Sequence, residues 1–239
     1  FAYGDLVFYG RENAVARGDA QYTRYPRYTG QPEAEHDPFK LELDRNPRMK
    51  ALYFDAEEET GYLRDQNVFR EDIDIYDSMS VLVRYRHGPI LTYSLNAYSP
   101  REGMRVTLNG DRGRIEYYEF TGSHIIMGQT DAELEKEQRS GTDQRDERIV
   151  VYPHFQPSYT VLPEREKGGH GGADPKLQGQ IFATNPPEER LGRNAGHEQG
   201  AASILIGVAA NRSIAANTPV NILDLVPLKP DAERLSELV

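Results

Sequence analysis

Gly168-Gly-His-Gly-Gly-Ala-Asp-Pro175 places four glycines around one histidine. Glycine lets a backbone take positive φ and approach a ligand closely. Histidine can donate or accept a proton near neutral pH. Asp174-Pro175 suits the start of a helix of about ten residues through Phe182, with Asp as cap and Pro in the first turn. His170 would then stand just before a helix N-terminus, where polar or anionic groups are favoured. The other reading is a flexible connection whose histidine is incidental. A second candidate is Gln21–Gly30, QYTRYPRYTG, with Tyr25 and Tyr28 among its residues. Tyrosine and arginine stack on and hydrogen-bond to polyols, so one reading is a sugar-facing loop. The other is a surface loop whose rings pack on a sheet. Asp72, Asp74 and Asp77 suggest a cation site, but no calcium loop with its glycine surrounds them and no histidine is interleaved. Solvated strand or turn carboxylates are the better reading.

The familiar catalytic patterns are missing. There is no Gly-x-Gly-x-x-Gly dinucleotide fingerprint; the run at 168–172 lacks both the third glycine and the preceding strand. There is no phosphate-binding Gly-x-x-x-x-Gly-Lys-Ser/Thr loop, no His-Glu-x-x-His and no Gly-x-Ser-x-Gly. Choosing two of the many carboxylates as a glycosidase pair would be arbitrary. With no cysteine in the chain, disulfides, thiol catalysis and cysteine-ligated metal are excluded. No catalytic, metal or cofactor-binding residue is assigned on these grounds.

The elements that must position the candidates begin with a β-meander. Met79–Tyr85 alternates, with Met79, Val81, Val83 and Tyr85 on one face. Ile90–Ala97 does the same with Leu91, Tyr93, Leu95 and Ala97 after a His87-Gly88 turn. Met104–Leu108 and Arg114–Tyr118 follow, joined through Asn109-Gly110. Some strands are apolar on the second face too, and a greasy sheet face asks for cover. Phe1–Tyr9 reads as a first strand, and a chain that opens inside a strand is expected to be a piece of a longer protein, a processed terminus being the alternative. Arg11–Arg17 is a short helix or irregular, Asp37-Pro38 begins another short helix, and Asp72–Tyr76 leads into the meander as a strand. Asp131–Arg148 is a charged, solvated excursion. Ile149–Tyr152, Tyr159–Val161 and Val220–Leu223 are short strands. Gly200–Asn217 is the clearest helix, with Ala202, Leu205, Ile206, Ala209 and Ala210 on one stripe and Asn217 as C-cap. The expected fold is α+β: an open-faced, mainly antiparallel β-sheet with a few helices packed on one face, in a single domain over residues 1–239.

The 239 residues carry a formal net charge of −10, which argues against nucleic acid or an anionic membrane as partner. No run approaches the roughly 18 apolar residues of a membrane span.

Four stretches, in this order, carry a family resemblance: SMSVLVRYRHGPILTYSLNAYSP, VTLNGDRGRIEY, GGHGGADP and GAASILIGVAANRSIAANTPVNILDL. Together they cover most of Arg64 to Leu225 and resemble the C-terminal domain of the Gfo/Idh/MocA family, the glucose–fructose oxidoreductase and inositol dehydrogenase group. The resemblance implies a sheet domain fused behind a Rossmann domain that binds NAD or NADP and carries the catalytic lysine. No catalytic residue of the family has a matching position here, so none is carried over, and this chain alone is expected to be inactive. The domain's implied roles are to wall a sugar or polyol pocket and to form homo-oligomers through the sheet. His170 matches the family's glycine-loop histidine, which is similar to substrate-contacting positions. Tyr25, Tyr28, Arg64, Asp65 and Asn67 are expected at the same pocket. Some relatives cleave glycosides with a tightly held NAD, which makes an NAD-dependent hydrolase one alternative and a non-enzymatic assembly module the other.

Overall fold

The computed structural model describes residues 1–121, 146–164, 169–188 and 196–226. Its strands form two antiparallel sheets rather than one meander. The first has the order β1-β2-β3 (Ala2–Asp5, Ser78–Arg84, Ile90–Asn96). The second has the order β4-β5-β6-β7 (Glu102–Gly110, Gly113–Thr121, Asp146–Pro153, Tyr159–Val161). With the helices described below the fold is α+β.

In the first sheet Met79 pairs with Leu95, Val81 with Tyr93 and Val83 with Leu91, so the two alternating runs put their apolar residues on one shared face. Ala2 and Gly4 of β1 join that face opposite Val81 and Met79. A helix lies over its β1 edge, while Leu91, Tyr93 and Leu95 stay exposed. Of the helices, α1 spans Arg11–Arg17, α2 Pro47–Met49, α3 Glu57–Thr60, α4 Gly169–Phe182 and α5 His197–Ala216. The last turns of α5 dock on β1. The Ala2 amide donates to Ser213 Oγ at 2.9 Å, and both residues are buried. A Cβ on Gly4 would come within 2.9 Å of Ile214 Cδ1, so the missing side chain admits the helix. The stripe read from the sequence is the covered one: Ala209 is buried and Ala202, Leu205, Ile206 and Ala210 are half-buried, while Ile204 is exposed. Asn217 takes φ 51° just past the helix, the left-handed cap expected of it.

The second sheet is two-faced. Val106, Tyr117, Ile149 and Val161 form one row across four strands, and Leu108, Ile115, Val151 and Tyr159 form the next row on the same side. This apolar side is open: Val106, Leu108, Ile115, Tyr159 and Val161 are all exposed. The opposite side carries Arg105, Tyr118 and Arg148 in one row and Asn109, Arg114 and Tyr152 in another. There Arg114 donates to Glu116 at 2.6 Å, Tyr118 also donates to Glu116, and Arg148 lies 4.3 Å over the Tyr118 ring. The Tyr118 and Arg114 bonds hold the Glu116 carboxyl below its usual range.

Several local expectations give way to side-chain hydrogen bonds. The first strand stops at Asp5, because the buried Asp77 carboxylate accepts from the amides of Val7, Phe8 and Tyr9 at 3.0, 2.8 and 2.9 Å and turns the chain away. Asp37 does not start a helix; its Oδ1 accepts from the Phe39 amide in a turn. Residues 72–76 form no strand, and Asp72 pairs with Arg70 at 2.6 Å. Asn221 accepts from the Leu223 amide and starts a 3₁₀ turn, Ile222–Asp224, where a strand was expected. Of the charged excursion, 131–145 lies outside the described residues, whereas Asp146–Arg148 belongs to β6. The glycine stretch is not a loop before a helix: α4 already begins at Gly169 and runs past Pro175. Its backbone passes through φ 92° at Gly172, so the positive φ expected of these glycines occurs within the helix.

Candidate functional site

Residues 20–70 contain little regular structure and most of the buried polar side chains among the described residues. Arg27 is the centre of the knot. Its guanidinium reaches Glu57 at 2.6 and 3.0 Å and Asp65 at 2.7 and 3.1 Å, a fork closed on two carboxylates. Glu57 sits on α3, which Gly61 ends with a left-handed cap, so the helix end sets where the carboxylate stands. The bonds to Glu57 and then to Asp65 raise the Arg27 pKa, against the opposing effect of burial. Asp65 is wholly buried and also accepts from the Thr29 amide at 2.8 Å.

Asn67 is the second hub and is also wholly buried. Its amide nitrogen donates to the carbonyls of Tyr22 and Tyr25 at 2.7 and 2.9 Å. Its oxygen accepts from the Phe69 amide at 2.7 Å and the Tyr28 hydroxyl at 3.3 Å. All four of its hydrogen-bonding positions are therefore used, and it ties the Tyr/Arg loop to the segment before the first sheet. Tyr25 donates to Asp37 at 2.5 Å. Burial, and next the bond to Asp37, pushes the Tyr25 phenol well above its ordinary pKa; burial does the same for Tyr28. The rings of Tyr25 and Tyr28 pack with Ala34, Phe39 and Leu41. Phe69, fully buried, meets Phe39 edge-on at 4.8 Å, and Phe8 stacks on Tyr98 at 4.6 Å.

The structure thus brings Tyr25, Tyr28, Asp65 and Asn67 together, but as the inside of a closed network. Their polar ends are spent on one another, on Asp37, on Arg27 and on backbone. Arg64 lies outside the knot, exposed, with its guanidinium 4.6 Å over the ring of Tyr53. His170 lies elsewhere along the chain, in the first turn of α4; its side chain lies outside the described part. Arg27, Glu57 and Asp37 are the structural partners that sequence reasoning missed. The density of tyrosine and arginine at 21–30 was the available signal, but it does not say which arginine turns inward.

Among the described residues no three His, Asp or Glu side chains are grouped to hold a metal ion. Asp77 is committed to the 7–9 amides and Asp72 to Arg70, so the aspartates at 72–77 do not converge. No described helix is long and apolar enough to cross a membrane. Every strand pairing is antiparallel, so no described βαβ unit offers a dinucleotide its usual cradle. The described residues form no cradle of that kind for a nicotinamide cofactor.

The family described as "Oxidoreductase family, C-terminal alpha/beta domain" matches residues 42–222. A relative in Bacillus subtilis (strain 168), named "Putative oxidoreductase YteT", is 30% identical over 242 residues. That match covers 96% of this chain and 51% of the relative, so the chain spans about half the length of the curated relative it matches. No solved structure matches it. With its antiparallel sheets, its helix laid over β1 and a family match that runs from before α2 to the turn after α5, the chain belongs to the Gfo/Idh/MocA oxidoreductase family, within that family's C-terminal domain.

Proposed function

We propose that this chain is the substrate-binding and oligomer-forming domain of an NAD- or NADP-dependent sugar or polyol oxidoreductase. The observation that carries the reading is the family match over residues 42–222 to a C-terminal domain. The relative's length, about twice the matched stretch, leaves room there for a separate nucleotide-binding half. In this reading a Rossmann domain supplies the cofactor and the proton-transferring lysine. The present chain holds the substrate hydroxyls in place, which lowers the barrier by orientation rather than by bond-making. The knot around Arg27 and Asn67 gives such a wall its rigidity, with Tyr25, Tyr28, Asp65 and Asn67 as positioning residues. His170 and Arg64 are the groups assigned to touch the substrate. The open apolar side of β4–β7 is assigned to a second copy of the chain, which would cover rows that water now faces.

Calorimetric titration of this chain with NAD and NADP tests the division of labour. No binding is expected, and micromolar binding of either would overturn it. The intact enzyme should reduce NAD or NADP with a member of a sugar and polyol panel. His170→Ala in that enzyme should raise KM or lower kcat about tenfold or more, the order of one lost oriented hydrogen bond. Unchanged kinetics would remove His170 from the pocket.

A further inference from the structure

Arg64 is an exposed arginine held in place without using its hydrogen-bond donors. Its guanidinium lies 4.6 Å from the Tyr53 ring centroid, and among the described residues it makes no hydrogen bond or ion pair. Stacking uses the flat face of the group and leaves five in-plane N–H donors free. The Tyr62 ring stands 6.1 Å from that of Tyr53 at 60°, and it too is exposed. Neither phenol hydroxyl has a partner among the described residues. The neighbouring charges are spent: Arg27 on Glu57 and Asp65, Lys50 on Asp55. Glu58 and Glu59 on α3 are exposed and do not reach the guanidinium.

The backbone beneath these three side chains is fixed. Tyr53 rides on a single π-helical turn, Lys50–Phe54, a departure from α geometry that is frequent at functional sites. The turn follows α2, whose cap Asn46 is buried and accepts from the Arg48 and Met49 amides. Arg64 immediately precedes Asp65, which is clamped by Arg27 and the Thr29 amide. A guanidinium with a free edge, held at a set angle, matches the two oxygens of a carboxylate. Beside it, two phenol rings offer an apolar face for C–H groups and a hydroxyl at the rim.

We infer that Tyr53, Tyr62 and Arg64 form a binding subsite for a carboxylate carried on a saturated, hydroxylated ring, the chemistry of a sugar acid. This deepens the substrate role proposed for Arg64 and is read by binding to this chain alone.

Glucuronate and glucose, which differ only in the oxidation of one carbon, are the matched probes. Titration of the chain with each, followed by calorimetry and by tyrosine-ring NMR shifts, should show glucuronate binding about tenfold or more tighter than glucose. The binding should weaken with added salt, as expected for an exposed charge pair. Arg64→Ala should abolish the preference, and Arg64→Lys, which keeps the charge and loses the fork, should retain only part of it. Arg64 is exposed, and an unchanged melting temperature in each variant confirms folding. Equal binding of the two sugars, or glucuronate binding that survives Arg64→Ala, overturns the assignment. That failure stays distinguishable from failure of the proposed function, since the intact enzyme's NAD-dependent turnover of a neutral polyol is a separate measurement.

Discussion

Residues 20–70 and the β4–β7 sheet solve opposite halves of the folding problem. The first region has little repetitive backbone, yet its buried carboxylates, amides and phenols are matched to partners inside the chain. The second has a complete hydrogen-bond ladder over four strands, yet leaves a two-row apolar surface facing water. Regularity and closure are thus separate properties. A ladder satisfies backbone groups wherever it forms. Closure requires side chains of the right chemistry to meet, and that is done here by loops.

The sharpest way to break this contrast is Asp65→Ala. It removes one of the two carboxylates under Arg27 and strands the Thr29 amide, so about 3–5 kcal/mol of stability should be lost. The denaturant midpoint of the variant measures it, and a change below that of an ordinary surface substitution would mean the knot is not closed in solution. Tyr25→Phe is next, because it deletes one hydroxyl and leaves Asp37 short of a donor. It should cost about 1.5–3 kcal/mol, the range for bonds to a charged group, again read from the midpoint.

The same two phenols set an alkaline limit. Tyr25 and Tyr28 are held protonated by burial, with Asp37 assisting at Tyr25, so their folded pKa values lie above the unfolded ones. Below the unfolded value, about 10, their contribution is fully present. As pH rises beyond it the unfolded chain loses phenol protons that the native state keeps, so stability falls. Melting temperature measured from about pH 8 to about pH 11 should drop more steeply in the wild type than in Tyr25→Phe. Equal slopes would mean that Tyr25 titrates normally. On the other side of the comparison, Ile115→Lys on the open face should change folding stability by less than about 0.5 kcal/mol, as expected of an exposed position. Sedimentation should nevertheless find it shifted from oligomer to monomer. A wild-type chain that is already monomeric at micromolar concentration would remove the assigned interface.

How much of this was readable in advance follows the same divide. The sheet faces were legible, because alternation is a local pattern: Met79, Val81 and Val83 share a side with Leu91, Tyr93 and Leu95 as their spacing implies. The stripe on α5 was legible for the equivalent reason at helical period. The break between β3 and β4 was not, since nothing in either strand's own pattern states which edge it will pair with. The turning of the chain at Leu6 was hidden too, because its cause is a carboxylate about seventy positions away, at Asp77. At the candidate site, residue types were informative and directions were not. Tyr25, Tyr28, Asp65 and Asn67 were picked out as substrate-contacting groups of one pocket; they meet one another through hydrogen bonds inside the chain. What a sequence does not carry is that Arg27 turns inward to join them while Arg64, one residue from Asp65, faces solvent.

The bond between the Ala2 amide and Ser213 Oγ spans 211 positions of sequence and gives the first strand a schedule. At a synthesis rate of about 5–20 residues per second, roughly 10–40 s separate the appearance of these two residues at the ribosome. During that interval β1 has its pairing partner β2 long before it has the helix that covers it. The side of β1 that carries Ala2 and Gly4 must wait bare until α5 arrives. The docking of α5 on β1 therefore leaves β1 open to wrong partners until that helix has been made, and α5 is the element that closes it.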